Sequence, residues 1–229
     1  MITIVIPTLN AETSLAATLT ALVPGVVAGL LREVIVVDGG SSDRTLKIAE
    51  AAGCEVVTSP RGRGVQLAAG AAAARGTWLM FLHADTVLES GWEHEVAAFM
   101  ERVEVGARPQ SAAAFRFALD DLGFLPRMIE WGVGVRCTLL RLPYGDQGLL
   151  MPKRLYHAIG GYKPLPLMED VDIVRRLGRG RTLILRSRAL TSAMRYKRDG
   201  YIRRVLRNWS CLTLYVLRVP MRIVQRIYG

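Results

Sequence analysis

Little in this chain suits redox or zinc chemistry. Its three cysteines, Cys54, Cys137 and Cys211, are far apart and odd in number, which excludes a disulfide framework and a cysteine zinc site. His83, His94 and His157 are scattered too widely for a conventional zinc cluster. No apolar run is long enough to span a bilayer, and the N-terminal MITIVIPTLN has neither a basic leader nor a cleavage site, so a cytoplasmic protein is expected. Acidic residues are nearly missing from the last quarter. Residues 173–229 hold 15 Lys/Arg against Asp199 alone, a net of +14, while residues 1–172 hold 15 against 19, a net of −4, together the +10 of the chain. The basicity belongs to the tail, which calls for an anionic partner or surface. The familiar nucleotide and hydrolase signatures are absent too: no GxGxxG, no GxxxxGK[ST] and no GxSxG.

What remains is a chain of 229 residues, 51% of them apolar, enough for one domain with a sizeable core and incompatible with disorder. Its first third alternates strand and helix. Ile2–Pro7, Glu33–Asp38, Glu55–Thr58 and Thr77–Leu82 read as short buried strands. Between them lie helical stretches at 14–22, at 41–52 behind the capping residues Ser41, Ser42 and Asp43, and in the Ala-rich run to about Arg75. Strands separated by such helices predict a parallel sheet with helices on both faces. Further on, helices are expected over about 91–102, 126–138 and after Met168, a strand near 112–119, a Gly-Gly turn at 160–161 and strands within 182–195. A last helix is expected over 201–217, and no domain boundary shows before about residue 198.

In such sheets ligands bind beyond the carboxyl ends of the parallel strands. Three polar loops fall there: Pro7-Thr8-Leu9-Asn10, Asp38-Gly39-Gly40-Ser41 and His83-Ala84-Asp85. Asp38 suits a base or ribose, or equally an Asx-type turn capping the next helix. Asp85 ends an apolar strand, where a carboxylate is costly unless hydrated, paired or metal-bound. A divalent cation with diphosphate oxygens satisfies it, and so does a helix-capping turn. Glu169-Asp170-Val171-Asp172 is the sharpest acidic cluster. Its carboxylates point in different directions, so one can face a pocket while another caps the helix. Arg61-Gly62-Arg63-Gly64 offers cations to phosphate or forms a solvated turn. Pro143–Gly148 reads as a hairpin loop or a sugar contact.

In this order the motifs resemble family 2 glycosyltransferases of the GT-A fold. There the first strand ends in PTxN, the second in VVDGGS(S)D, a DxD-like element lies near residue 85, and an ED pair follows a GG turn. Here these are Pro7–Asn10, Val36–Asp43, His83–Asp85 and Gly160–Asp170. HADT, PYGDQG and PLMEDVD look similar to a bacterial subgroup labelled arsenosugar-biosynthesis-type glycosyltransferases. The likeness runs over about residues 1–200. It implies a mixed, mostly parallel GT-A sheet and an inverting transferase that takes a UDP- or GDP-linked sugar to an acceptor hydroxyl. Pro7, Thr8, Asn10, Asp38, Gly40 and Ala84 would hold the nucleotide. Asp85, with His83, would bind Mg²⁺ or Mn²⁺ on the donor diphosphate. Asp170 would act as catalytic base, and Asp146, Gln147 and Glu169 would lie towards the acceptor. His83 stands where many relatives have Asp, so the metal site has one carboxylate or uses the imidazole. Ala68 stands where relatives carry Asn, so donor contacts fall to Arg63 or Gln66.

Two other classes compete. A nucleotidyltransferase shares the scaffold type, but Pro7–Asn10 is not the Gly/Arg-rich loop it needs after strand one. A nucleic-acid-binding module would use the basic tail, yet the tail shows no RNP-like aromatics or helix-turn-helix, so nucleic acid is not the expected partner. Within residues 201–229, read as a helical appendage, Ile202, Val205, Leu206, Trp209, Leu212 and Val216 recur at helical spacing, with Arg203, Arg204 and Arg207 off that stripe. The stripe suits an anionic membrane at its inner face, serving a lipid-linked or membrane-proximal acceptor. Equally, it suits packing on the catalytic fold or on a second copy in a homo-oligomer.

Overall fold

The computed structural model describes residues 1–228. The two most apolar N-terminal runs form β1 (Ile2–Thr8) and β2 (Leu31–Asp38), paired in parallel so that Thr8 lies opposite Asp38. α1 (Leu15–Thr20) and α2 (Val23–Val27) connect them. α1 falls within the stretch 14–22 expected to be helical, and α2 is a further short helix after it. α3 (Thr45–Ala51) follows β2; its first N–H groups are met from outside, the Asp43 carboxylate accepting the Thr45 N–H at 3.0 Å. β3 (Glu55–Thr58), α4 (Arg63–Ala73) and β4 (Trp78–Phe81) complete the expected alternation.

Beyond β4 come β5 (Thr86–Leu88), α5 (Trp92–Glu104), β6 (Ala112–Asp120), α6 (Phe124–Leu140), β7 (Leu149–Pro152), α7 (Lys153–Ala158), α8 (Glu169–Leu177) and β8 (Thr182–Ser192). The chain ends in α9 (Met194–Asp199), α10 (Tyr201–Val216) and α11 (Met221–Tyr228). The sheet runs β3-β2-β1-β4-β7-β6-β8-β5. Pairings among β1–β4 and between β6 and β8 are parallel; β7 runs antiparallel to both its neighbours, as β5 does to β8. The result is a mixed, mostly parallel sheet flanked by helices. No spacing rule locates β5, three residues laddered to β8 with Leu88 packed in the core.

Both faces of the central strands are buried, which is why they read as unbroken apolar runs rather than alternating ones. Ile4, Ile6, Val36 and Met80 face a core built on Trp92 and Phe99 of α5. Val5, Ile35, Val37 and Phe81 face the opposite core, with Leu67 of α4 and Ile173 of α8. α4 lies so close to the sheet that a Cβ on Gly70 would stand 2.3 Å from Val5 Cγ1. This contact holds the N-terminus of α4 near the ends of β1 and β2. The C-terminal helices have cores of their own: Cys211, Leu212 and Val224 pack on Met168 and Val171, beside the start of α8. Asp199, the lone acid of the tail, binds Arg198, Arg204 and Arg207. Hydrogen bonds from Arg198 and Arg207 hold its carboxyl well below the usual range. No helix among the described residues is long and apolar enough to cross a membrane.

Candidate active site

A cleft of about 780 Å³ opens at the carboxyl ends of β1 and β4. Pro7, Thr8 and Asn10 form one wall, and His83, Ala84 and Asp85 another; Arg63 and Gln66 come from the first turns of α4. The walls are tied to one another. Asn10 takes a left-handed φ of 51°, which Asn tolerates better than most residues, and its Oδ1 accepts the Ser42 N–H at 2.9 Å. The Gln66 amide nitrogen donates to the carbonyls of Thr8 and Val37, both at 2.8 Å, clamping β1 to β2. Of the expected nucleotide residues, Asp38 and Gly40 do not line the cleft. The Asp38 carboxylate accepts the N–H groups of Gly40 and Ser41 and the hydroxyls of Ser41 and Thr8. Burial opposes its charge, but these bonds prevail and lower its pKa.

At the inner end of the cleft lies a smaller chamber of about 100 Å³, which Arg63, His83, Asp85 and Glu169 share with the cleft and to which Asp146 and Asp170 belong. The acidic run on α8 fans out as adjacent helical positions must. Glu169 turns to Arg63, 3.3 Å away, and is 1% exposed. Burial and then Asp170 raise its pKa, against the pull of Arg63. Asp172 turns to the outside and is bound by Arg176, whose guanidinium also reaches the carbonyls of Ile159 and Gly161. That pair locks the Gly-Gly turn to α8. Asp170, between them, accepts the Gly145 N–H at 2.9 Å and its neighbour Val171's at 2.7 Å. Met168 precedes the run at φ 63°, a left-handed conformation that turns the chain sharply into α8.

The PYGDQG loop splits its two expected acceptor residues. Gln147 is 1% exposed: its nitrogen donates to the Phe115 carbonyl, while its oxygen accepts from Tyr144 N–H and Arg136. It stitches the loop to β6 and does not reach the chamber. Asp146 does, and its Oδ1 is buried with no hydrogen-bond partner. Burial pushes its carboxyl up to about 6; Arg136 opposes the shift and Asp170 adds to it. Gly145 leaves room for His83: a Cβ there would stand 2.7 Å from His83 Nε2 and 3.5 Å from Asp170 Oδ2. Burial, Arg63 and Arg195 together push the His83 imidazole well below its ordinary pKa, so it is neutral at pH 7.

A cation site can be judged from these donors. Asp85 supplies one carboxylate and His83 a neutral imidazole, and no group of three potential ligands occurs among the described residues. Mg²⁺ is commonly held by one or two carboxylates with substrate phosphates completing the shell, so the pair fits a divalent cation bound together with a diphosphate. Arg195, from α9, lies 3.6 Å from Asp85. With Arg198, and with Gln225 and Tyr228 of α11, it lines the same cleft. None of these four stands out in the sequence. The only signal for the two arginines is the excess of basic residues after 172, which does not say which of them face inward.

The family model of glycosyl transferase family 2 matches residues 3–127. The chain belongs to that family and is a glycosyltransferase. No curated protein gives a significant match. Among solved structures, glucosyl-3-phosphoglycerate synthase from Mycobacterium tuberculosis, in complex with Mn²⁺, UDP and phosphoglyceric acid, superposes with a TM-score of 0.56 at 23% identity, covering 81% of this chain and 68% of that one. TarS 1–349 of S. aureus gives 0.59 at 16% identity over 99% and 69%. A mycobacterial protein gives 0.58 at 21% over 92% and 74%. At these identities the likeness shows the fold, which is of the GT-A kind.

Proposed function

We propose that this chain is an inverting glycosyltransferase that moves a sugar from a nucleotide-diphosphate donor to an acceptor hydroxyl. The observation that carries this reading is the placement of Asp85 and Asp170 in one chamber at the inner end of the Pro7–Asn10 cleft. In this reading Pro7, Thr8, Asn10 and Ala84 hold the nucleoside, while Asp38 and Gly40 brace their loop from behind. Arg63, Arg195 and Asp85 face the diphosphate. When bound at Asp85 and His83, Mg²⁺ or Mn²⁺ offsets charge on the departing diphosphate. Asp170 accepts the proton of the incoming hydroxyl, whose oxygen attacks the anomeric carbon from the side opposite the phosphate oxygen. That carbon–oxygen bond breaks, and the charge passes to the diphosphate, where the two arginines stabilise it. Glu169 keeps Arg63 in place.

UDP is the first donor to try, because the M. tuberculosis relative was crystallised with UDP and Mn²⁺; GDP is the alternative. Calorimetric titration with UDP, GDP and their sugars, with and without Mn²⁺, tests the reading. Binding of one nucleoside diphosphate is expected, and indifference to both in either condition would remove the donor cleft from the argument.

Residues 1–200 then form most of the catalytic fold; the basic C-terminal segment adds Gln225 and Tyr228 to the donor cleft and turns the exposed side of α10 to an anionic membrane that carries the acceptor. Support comes from Ile202, Leu206, Trp209 and Val216, which stay exposed on α10, while Val205 and Leu212 turn inward. Arg203 of α10 and Arg222 and Arg226 of α11 are exposed, whereas Arg204 and Arg207 are held by Asp199, and each basic residue near an anionic leaflet contributes about 1 kcal/mol. The chain is expected to float with phosphatidylglycerol vesicles and to be released at high salt; failure to float at low salt would refute this.

A further inference from the structure

A second cavity, about 210 Å³, lies between α6 and α10. Its sides are apolar: Met128, Ile129 and Val133 come from α6, and Ile202, Val205 and Leu206 from α10. Its outer lips are open, Met128 being 47% exposed, Leu206 61% and Trp209 52%. At its inner end stand Tyr144, Asp146, Tyr196 and Asn208, and the same four residues line the chamber that holds Asp170. The groove and the chamber therefore adjoin, and the Asp146 side chain, whose buried Oδ1 has no hydrogen-bond partner, lies between them.

We infer that this groove binds the hydrocarbon segment of an amphiphilic acceptor whose hydroxyl lies at Asp170. The inference rests on the transferase reading above and names the class of acceptor. Three features favour an alkyl or prenyl chain over a sugar or a protein segment. First, the walls offer almost no hydrogen-bonding groups along the length of the groove, whereas polar groups converge at one end only, as a molecule with a polar head and an apolar tail requires. Arg136 lines the groove too, but its guanidinium is already engaged: it stacks on Tyr144 at 3.4 Å and bonds to the Leu142 carbonyl and to Gln147. Second, the polar end carries the Asp146 carboxylate, whose Oδ1 has no hydrogen-bond partner in the protein, and a polar ligand head is suited to lie beside such a group. Third, Gly132 on the groove wall of α6 has nothing within 4 Å of where its Cβ would be. A glycine within a helix costs about 1 kcal/mol relative to alanine, and no packing contact of the protein itself explains it here. Its effect is to leave the groove open.

The open space at Gly132 also provides the test. A Cβ at this position meets no protein atom within 4 Å, so Phe is introduced without a clash at its base and its ring projects into the groove, and Leu206→Glu places a charge on an exposed lip where folding is not at stake. Binding of monomeric butyl, hexyl and octyl glucoside is measured by calorimetry for wild type, Gly132→Phe and Leu206→Glu, with UDP titrated against each as a control. Wild type is expected to bind more tightly with each added methylene, by about three- to fourfold while the chain is fully buried. Both variants are expected to lose that dependence and to bind UDP as wild type does. Equal affinity of wild type for butyl and octyl glucoside overturns the inference, as does chain-length dependence that survives in both variants. A wild-type dimer that both variants dissociate would also overturn it, assigning the groove to a second copy. Absence of UDP binding in all three proteins would strike the donor reading instead, leaving the chain-length result to stand on its own.

Discussion

Asp170→Asn is expected to lower kcat by about 10²–10⁴-fold while leaving nucleoside diphosphate affinity nearly unchanged, because loss of a general base has effects of that size. The amide keeps the shape of the side chain but cannot take a proton. One of the two backbone N–H groups now bound by the carboxylate, those of Gly145 and Val171, will face the amide nitrogen and lose its acceptor. A small drop in thermal stability should therefore accompany the kinetic loss. The donor cleft is formed by other residues, so the defect should sit in kcat. A variant within about threefold of wild type rules Asp170 out as the base, and equal losses in kcat and UDP affinity would make its role structural.

Asp85→Ala is expected to abolish the gain in UDP affinity that Mn²⁺ confers on wild type. The basis is the scarcity of ligands: Asp85 is the sole carboxylate on the His83–Asp85 wall, and a neutral imidazole with diphosphate oxygens cannot replace it well. Arg195 now pairs with Asp85 at 3.6 Å and becomes free in the variant. Metal-free affinity should consequently persist or rise slightly as Arg195 turns to the phosphates. The sharp readout is the difference between titrations with and without Mn²⁺, expected to be large in wild type and near zero in the variant. Wild type that binds UDP equally well in both conditions would indicate that arginines, not a metal, hold the diphosphate. A similar Mn²⁺ increment in both proteins would move the ligand elsewhere.

The EDVD run shows how far the sequence could be read. That its carboxylates must diverge follows from helix geometry, since neighbours lie about 100° apart around a helix of 3.6 residues per turn. Which of them enters the chamber does not follow. It depends on how α8 rolls against the sheet, and that is set by burial of Val171, Ile173, Val174 and Leu177 among distant residues. Glu169 and Asp170 thus both reach the chamber, Glu169 as the partner of Arg63, while Asp172 falls to a structural clamp. Gln147 illustrates the same limit. An amide in a turn-rich loop reads as a sugar contact, but β6 lies behind it and takes its nitrogen, while Arg136 of α6 and the Tyr144 N–H occupy its oxygen.

The sequence by itself determined the parallel half of the sheet and the loops at its carboxyl edge. Runs such as TIVIP and EVIVVD are apolar on both faces and can only be buried strands, and the turns between them are short. It also determined the family, through motifs whose order is specific although each alone is weak. Tertiary structure decided the rest. The antiparallel β7 and the three-residue β5 exist only through partners remote in sequence. α11 turns back so that Gln225 and Tyr228 line the donor cleft. The apolar stripe of α10 divides between a packed side and an exposed lip because α6, some 70 residues earlier, lies beside it. Helical periodicity places side chains around an axis; which of them are covered depends on what packs against that axis.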